Sequence, residues 1–302
     1  MKNTLIVALA LAVGLFSSCA DKGNQAADSG SEKKIGVLLV NHGSVSENWR
    51  NMLLELDKSV RDSILGNKKI SDVKTAFMEY TEPSIATRLK EFDEDGYDEV
   101  VVVPIFLTVS SHYSHDIPVI CGLSSDPKII EELKKEKIDT YRPKAKVTIV
   151  PPLDYTTILK KNVERRVMAL SKDAANEGVL LVAYGDEQYN QQWEEMVDEI
   201  GKYLKVKTGH ESIAYSWCGH LVRYSTQPTK DGIAKLQELE DNVIVIPVLV
   251  ANDAYFQKDI IQVAVDESEN AASVFYVQDA ILPDANLENW VIDISNKTVE
   301  NI

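Results

Sequence analysis

Three side chains, far apart along the chain, have the chemistry to hold a divalent metal ion together: His42, Glu79 and His112. Imidazole nitrogen suits the middle and late first-row divalent ions, and a carboxylate widens the choice. A free imidazole is mostly unprotonated at neutral pH, so it can ligate an ion or accept a proton. Each of the three stands where an apolar run stops. Ile35-Gly36-Val37-Leu38-Leu39-Val40 ends at Asn41-His42-Gly43-Ser44, Val73 to Met78 ends at Glu79, and Val100 to Phe106 leads into the loop that carries His112. His115 and Asp116 follow three and four positions after His112, near one helical face. Unrelated polar loop residues are the alternative, and spacing alone leaves both readings open.

The apolar runs read as strands of a parallel sheet covered by helices on both faces, which explains why they are nearly continuous. Trp49, Leu53, Leu56, Val60 and Ile64 recur at helical spacing between Glu47 and Leu65. Pro83 is expected to open the next helix at its first turn, and Val147 to Val150 to form a fourth strand. The order then repeats. Val179-Leu180-Leu181-Val182-Ala183-Tyr184-Gly185 follows Val37 to Gly43 at an offset of 142, and Val243 to Val250 follows Val100 to Leu107 at 143. Ile213 to Trp217, a helix opened by Pro228, Val274 to Val277 and a closing helix from Leu287 complete the second half. Several anchors at nearly one offset indicate duplication. The expected fold is α/β, two similar open parallel-sheet lobes facing across a ligand cleft, with the link near residues 170–177. The lobes are expected at 35–170 and 178–302.

Leu39-Val40-Asn41-His42-Gly43-Ser44, Ala76-Phe77-Met78-Glu79-Tyr80 with Pro83-Ser84, and Pro104-Ile105-Phe106-Leu107 through His112 to Asp116-Ile117-Pro118 occur in this order. Together they resemble the class II tetrapyrrole chelatases, and most of all the sirohydrochlorin cobaltochelatases, over about residues 35–290. The resemblance implies a two-lobed protein that inserts Co²⁺, or in relatives Ni²⁺ or Fe²⁺, into a tetrapyrrole without an organic cofactor. It implies that His42, Glu79 and His112 bind the metal and take part in catalysis. Ser110 stands where the family usually has glycine, and His115 lies outside the shared core, as an accessory, solvent-facing or additional ligating residue.

In the second lobe Tyr184 matches His42, Tyr255 matches His112, and about Gly219 matches Glu79, so no duplicate metal site is expected there. Ser44, Tyr184 and Tyr255 are the expected macrocycle contacts, the tyrosines by stacking or hydrogen bonding. Packing between the lobes is the alternative for the tyrosines. Arg50, Arg88, Lys90 and Arg223 are candidates for ring carboxylates. His210 and His220 are expected in surface or turn positions, with His220 placed to rim the cleft.

Lys2, the apolar stretch Leu5 to Phe16 and Ser17-Ser18-Cys19 read as a lipoprotein signal with Cys19 as anchor, and residues 20–34 as a tether. A plain secretory peptide is the alternative. Either places the body outside the inner membrane, periplasmic or cell-surface, touching a membrane only through the anchor. That location makes a haem, tetrapyrrole or metal carrier without chelatase activity the competing function. A net charge of -15 argues against nucleic acid as a partner but allows an anionic ligand in a locally basic pocket. Homo-oligomerisation is allowed. Cys121 and Cys218 could pair after export, with Cys218 expected to be buried.

Overall fold

A computed structural model describes residues 33–153 and 158–302, and the expected signal and most of the expected tether lie outside them. The first half contains β1 (Ile35–Asn41), α1 (Glu47–Leu65), β2 (Ile70–Phe77), α2 (Ile85–Glu94), β3 (Glu99–Pro104), α3 (Ile117–Ile120), α4 (Pro127–Lys135), β4 (Lys146–Ile149) and α5 (Lys160–Leu170). The second contains β5 (Glu177–Ala183), α6 (Asn190–Thr208), β6 (Ile213–Trp217), α7 (Gln227–Gln237), β7 (Asn242–Val248), α8 (Val263–Asp266), β8 (Val274–Tyr276) and α9 (Ala285–Glu300). The strands form two four-stranded sheets of order β2-β1-β3-β4 and β6-β5-β7-β8, with every pair parallel. The α/β fold of two parallel-sheet lobes is therefore the one the repeat implies.

Alternation along the strands decides what each face meets. Val37, Leu39, Val101 and Val103 join Val179, Leu181, Ile244 and Ile246 in one core that runs between the two sheets. Leu38, Val40, Val100 and Val102 turn the other way, onto Leu89 and Phe92, while Leu180, Val182, Val243 and Val245 pack on Ile233 and Leu236. Each such fully buried side chain contributes about 1.5–3 kcal/mol. The shared inner core is completed by exchange. Helix α5 packs on β7 and α6 of the second lobe, and α9, at the end of the chain, packs on β3 and α1 of the first.

Three expectations change. Pro83 precedes α2 rather than opening it, and Ser84 is the cap, its hydroxyl accepting from Thr87 N. Pro228 does lie in the first turn of α7. His210 is not a surface residue: it is fully buried, with Nδ1 2.7 Å from Thr208 Oγ1 and Nε2 3.3 Å from Glu177 Oε2. Cys121 and Cys218 are both buried and free, and burial pushes each thiol up to about 12.

Candidate metal centre

Strands β1 and β2 of the first sheet end side by side. Past their last paired residues the ladder continues one step, with Glu79 N donating to His42 O at 2.9 Å, so the two side chains leave the same sheet edge. Gly43 turns away immediately with φ 104, and a Cβ there would lie 2.1 Å from Glu79 O. Only glycine allows the backbones to approach that closely. Beyond β3, His112 opens a π-helical turn, His112–Asp116, that swings its ring back over the edge. Such turns are frequent at functional sites.

Hydrogen bonds set the tautomers of both rings. His42 Nδ1 lies 3.0 Å from Gly43 O, and His112 Nδ1 lies 2.7 Å from Asp116 Oδ2. A carbonyl and a carboxylate can only accept, so each Nδ1 carries a proton, and in the neutral ring Nε2 is the lone pair. Those two Nε2 atoms face one another at 3.2 Å, and Glu79 Oε1 is 3.9 Å from His42 Nε2. The ligand atoms of all three residues lie within 4.8 Å of one another. With metal–nitrogen bonds of about 2.1 Å, the 3.2 Å separation corresponds to an angle of about 100° at a shared ion, which suits tetrahedral or octahedral coordination. The cluster is thus able to coordinate a divalent metal. Burial, then the neighbouring His112, lowers the pKa of His42. Burial would lower His112 as well, but the Asp116 carboxylate outweighs it and raises that pKa. Asp116, four residues along a π turn, is the partner that spacing pointed to without revealing its task.

The second lobe repeats the frame with different side chains. Gly219 N donates to Tyr184 O at 3.0 Å, as Glu79 N does to His42 O, and Tyr255 opens a second π-helical stretch, Tyr255–Gln262. Tyr184, Tyr224, Tyr255 and Phe256 form a continuous aromatic cluster with neighbouring ring centroids 5.5–6.3 Å apart. His220 comes into it from the stretch after β6, its Nδ1 3.3 Å from Tyr184 Oη and the ring edge-on at 5.5 Å. The second lobe therefore does bring an imidazole to the cleft, from a position with no counterpart in the first. Burial pushes the Tyr184 phenol up, and burial followed by the Glu79 charge pushes Tyr80 up to about 12.

His42, His112, Tyr80 and the aromatic cluster line one cleft of about 380 Å³ between the lobes. Two clasps close its floor. Ser44 Oγ donates to Asp253 Oδ2 at 2.6 Å, and Ser111 donates N and Oγ to Asp186 Oδ2 at 3.0 and 2.9 Å. The hydroxyl proton of Ser44 is thereby committed to the clasp. His115 lies outside the metal cluster, with Nε2 3.1 Å from Tyr189 Oη across the lobe boundary. The proposed carboxylate partners are elsewhere: Arg88 donates to Thr75 O and Glu91, Lys90 lies over the Tyr141 ring, and Arg50 donates to Ser44 O. Arg223 is exposed beside Tyr224 and is not part of the cleft wall.

Two parallel-sheet lobes, with a His–Glu–His cluster at one sheet edge of the cleft, define the class II chelatase fold. The CbiX family model matches residues 36–170. A sirohydrochlorin cobaltochelatase of Sulfurisphaera tokodaii is 32% identical over 108 residues, 36% of this chain and 78% of the relative. One from Saccharolobus solfataricus is 29% identical over 133 residues, 44% of this chain and 93% of the relative. The chain belongs to the CbiX family of sirohydrochlorin cobaltochelatases. The sirohydrochlorin chelatase SirB from Bacillus subtilis subspecies spizizenii, solved with cobalt, has the same fold, with a TM-score of 0.59, 18% identity, and coverage of 89% of this chain and 96% of that one. These likenesses correct the expected periplasmic or cell-surface location. The matched relatives are named as sirohydrochlorin cobaltochelatases and a sirohydrochlorin chelatase. No helix among the described residues is long and apolar enough to cross a membrane.

Proposed function

We propose that this protein inserts a divalent metal ion into a tetrapyrrole, with His42, Glu79 and His112 holding the incoming ion. One observation carries the reading: two Nε2 lone pairs, each fixed by its ring's other hydrogen bond, face each other at 3.2 Å beside a carboxylate. That arrangement presents two imidazole nitrogens and a carboxylate to one divalent cation. The names of the relatives point to Co²⁺ and sirohydrochlorin as substrates. Residues 35–170 act in this reading as the metal lobe and 178–302 as the macrocycle lobe, with Tyr184 and Tyr255 against the ring face.

Insertion exchanges one divalent ion for two pyrrole protons. The three ligands replace part of the ion's water shell and hold it against one face of the macrocycle. As the ion passes to the pyrrole nitrogens, His42 and Glu79 regain free lone pairs and take the two departing protons. Asp116 holds His112 in the tautomer that keeps Nε2 directed at the ion.

The test is anaerobic incubation with Co²⁺ and either sirohydrochlorin or deuteroporphyrin, followed by absorbance. Metalation above the uncatalysed rate with at least one macrocycle is expected. The His42→Ala/His112→Ala variant should lose at least about 10³-fold, since ligation and proton transfer fail together. An unchanged rate in that variant would overturn the assignment.

A further inference from the structure

At one point of the cleft wall the second lobe is longer than the first. Three residues separate Glu79 from Pro83, whereas eight separate the matching Gly219 from Pro228. The longer stretch folds as a tight turn, with Arg223 N donating to His220 O at 2.8 Å and Tyr224 N to Gly219 O at 3.0 Å. Arg223 and Tyr224 are consecutive residues in the left-handed region, at φ 52 and 57. Glycine takes such a backbone without strain, yet this turn places two long side chains there. Backbone strain of that kind clusters at sites that clamp ligands.

The turn presents polar groups. His220 and Tyr224 line the cleft together with Tyr184, and Arg223 is exposed at the mouth. Tyr184 Oη is 3.3 Å from His220 Nδ1 and 3.5 Å from Tyr224 Oη. A neutral imidazole and two phenols carry one proton each, and the two contacts use at most two of the three. Burial keeps the Tyr184 phenol protonated. In every arrangement of the protons, at least one N–H or O–H is left for an acceptor outside the trio. An anionic acceptor gains the Arg223 guanidinium of the same turn as well, and such charge-assisted bonds are stronger than neutral ones.

The geometry points to a carboxylate subsite on this turn. A carboxylate side chain of the macrocycle is held by the His220–Tyr184–Tyr224 trio and by Arg223, while the ring lies on the aromatic wall. The inference rests on the insertion reading above and names where the acidic periphery of the ring is bound.

Metal-free binding tests it without turnover. Uroporphyrin, a planar macrocycle with carboxylates on every pyrrole ring, is titrated into the protein. Quenching of Trp49 and Trp193 in the cleft wall reports binding. Arg223→Gln is expected to weaken uroporphyrin about tenfold, the loss of a hydrogen bond to a charged group. Arg223→Lys, which keeps a point charge, should stay within about threefold of the unmodified protein. Arg223→Gly removes the charge and relieves the backbone together, so affinity should fall as in Arg223→Gln while the urea midpoint stays level or rises. A residue with only a structural role would not separate the two readouts in that way. His220→Phe/Tyr224→Phe keeps the rings but removes the two exposed polar groups, and should weaken binding by about threefold or more. Uroporphyrin bound as tightly by Arg223→Gln, or by the Phe pair, as by the unmodified protein overturns the subsite and leaves metal insertion standing. No uroporphyrin binding by the unmodified protein, with no metalation of sirohydrochlorin either, overturns the insertion reading itself.

Discussion

The two lobes share strand order, the step by which the β1–β2 and β5–β6 ladders run past their last pairs, and a π-helical turn at the same place. They differ in what stands on that frame. The first carries His42, Glu79 and His112; the second carries Tyr184, Gly219 and Tyr255. Gly219 explains why the exchange is not piecemeal. A Cβ at that position would lie 2.6 Å from Tyr184 O and 2.8 Å from the Tyr184 ring, so the tyrosine occupies the space a side chain would need. The Tyr184 ring and a side chain at 219 compete for one space, and the Tyr184 carbonyl, common to any residue there, is the nearest atom. A duplicated frame thus specialises by coupled substitutions at neighbouring strand ends, while its backbone stays the same.

The comparison can be broken first at the clasps. Both serines come from the first lobe and both aspartates from the second, but the aspartates are not equally loaded. Asp186 accepts from Ser111 N and Oγ, Gln188 N and Tyr189 N, whereas Asp253 accepts from Ser44 Oγ and Tyr255 N. Asp186→Ala should cost about 3 kcal/mol in urea unfolding and Asp253→Ala about 2. Equal losses would mean that the extra donors of Asp186 contribute nothing. Next, Gly219→Ala should destabilise by about 1–3 kcal/mol, because the Tyr184 carbonyl and ring both have to give way. A neutral result would uncouple the tyrosine from the lost glutamate. The smallest effect is expected at Asp116→Asn, which keeps an acceptor for His112 Nδ1 but removes its charge: Co²⁺ affinity, read from visible absorption, should fall about tenfold. A larger loss would make Asp116 a ligand in its own right.

Much of this frame was legible in the sequence, because its evidence is local. Apolar runs with both faces covered give the strands, and glycines beside His42 and Tyr184 mark the two equivalent turns. The metal cluster was legible for the same reason, since parallel strands put His42, Glu79 and the loop to His112 at one edge. What stayed hidden depends on partners distant in sequence. Ser44 and Asp253 are 209 positions apart, and Ser111 and Asp186 are 75. His210 reads as a turn residue until Glu177, 33 positions earlier, is seen beside it in the core. His220 lies where the two halves cease to align, so the repeat could not report its approach to Tyr184. The four basic residues suggested for ring carboxylates carried the right chemistry, but helix rotation directs Arg88 and Lys90 to the outer surface of the first lobe.

The exchange of α5 and α9 has a consequence for how the molecule is made. As the chain leaves the ribosome, the half with the His–Glu–His cluster is synthesised before the other, yet the helix that covers its β3 follows the strands of the second lobe. During that interval an apolar sheet face stands open, and α5 has no second lobe to pack on, a condition that favours capture by chaperones or by other nascent chains. That half is begun before the second lobe and closed after it, so premature termination between residues 113 and 285 leaves His42, Glu79 and His112 on a sheet that is not yet closed.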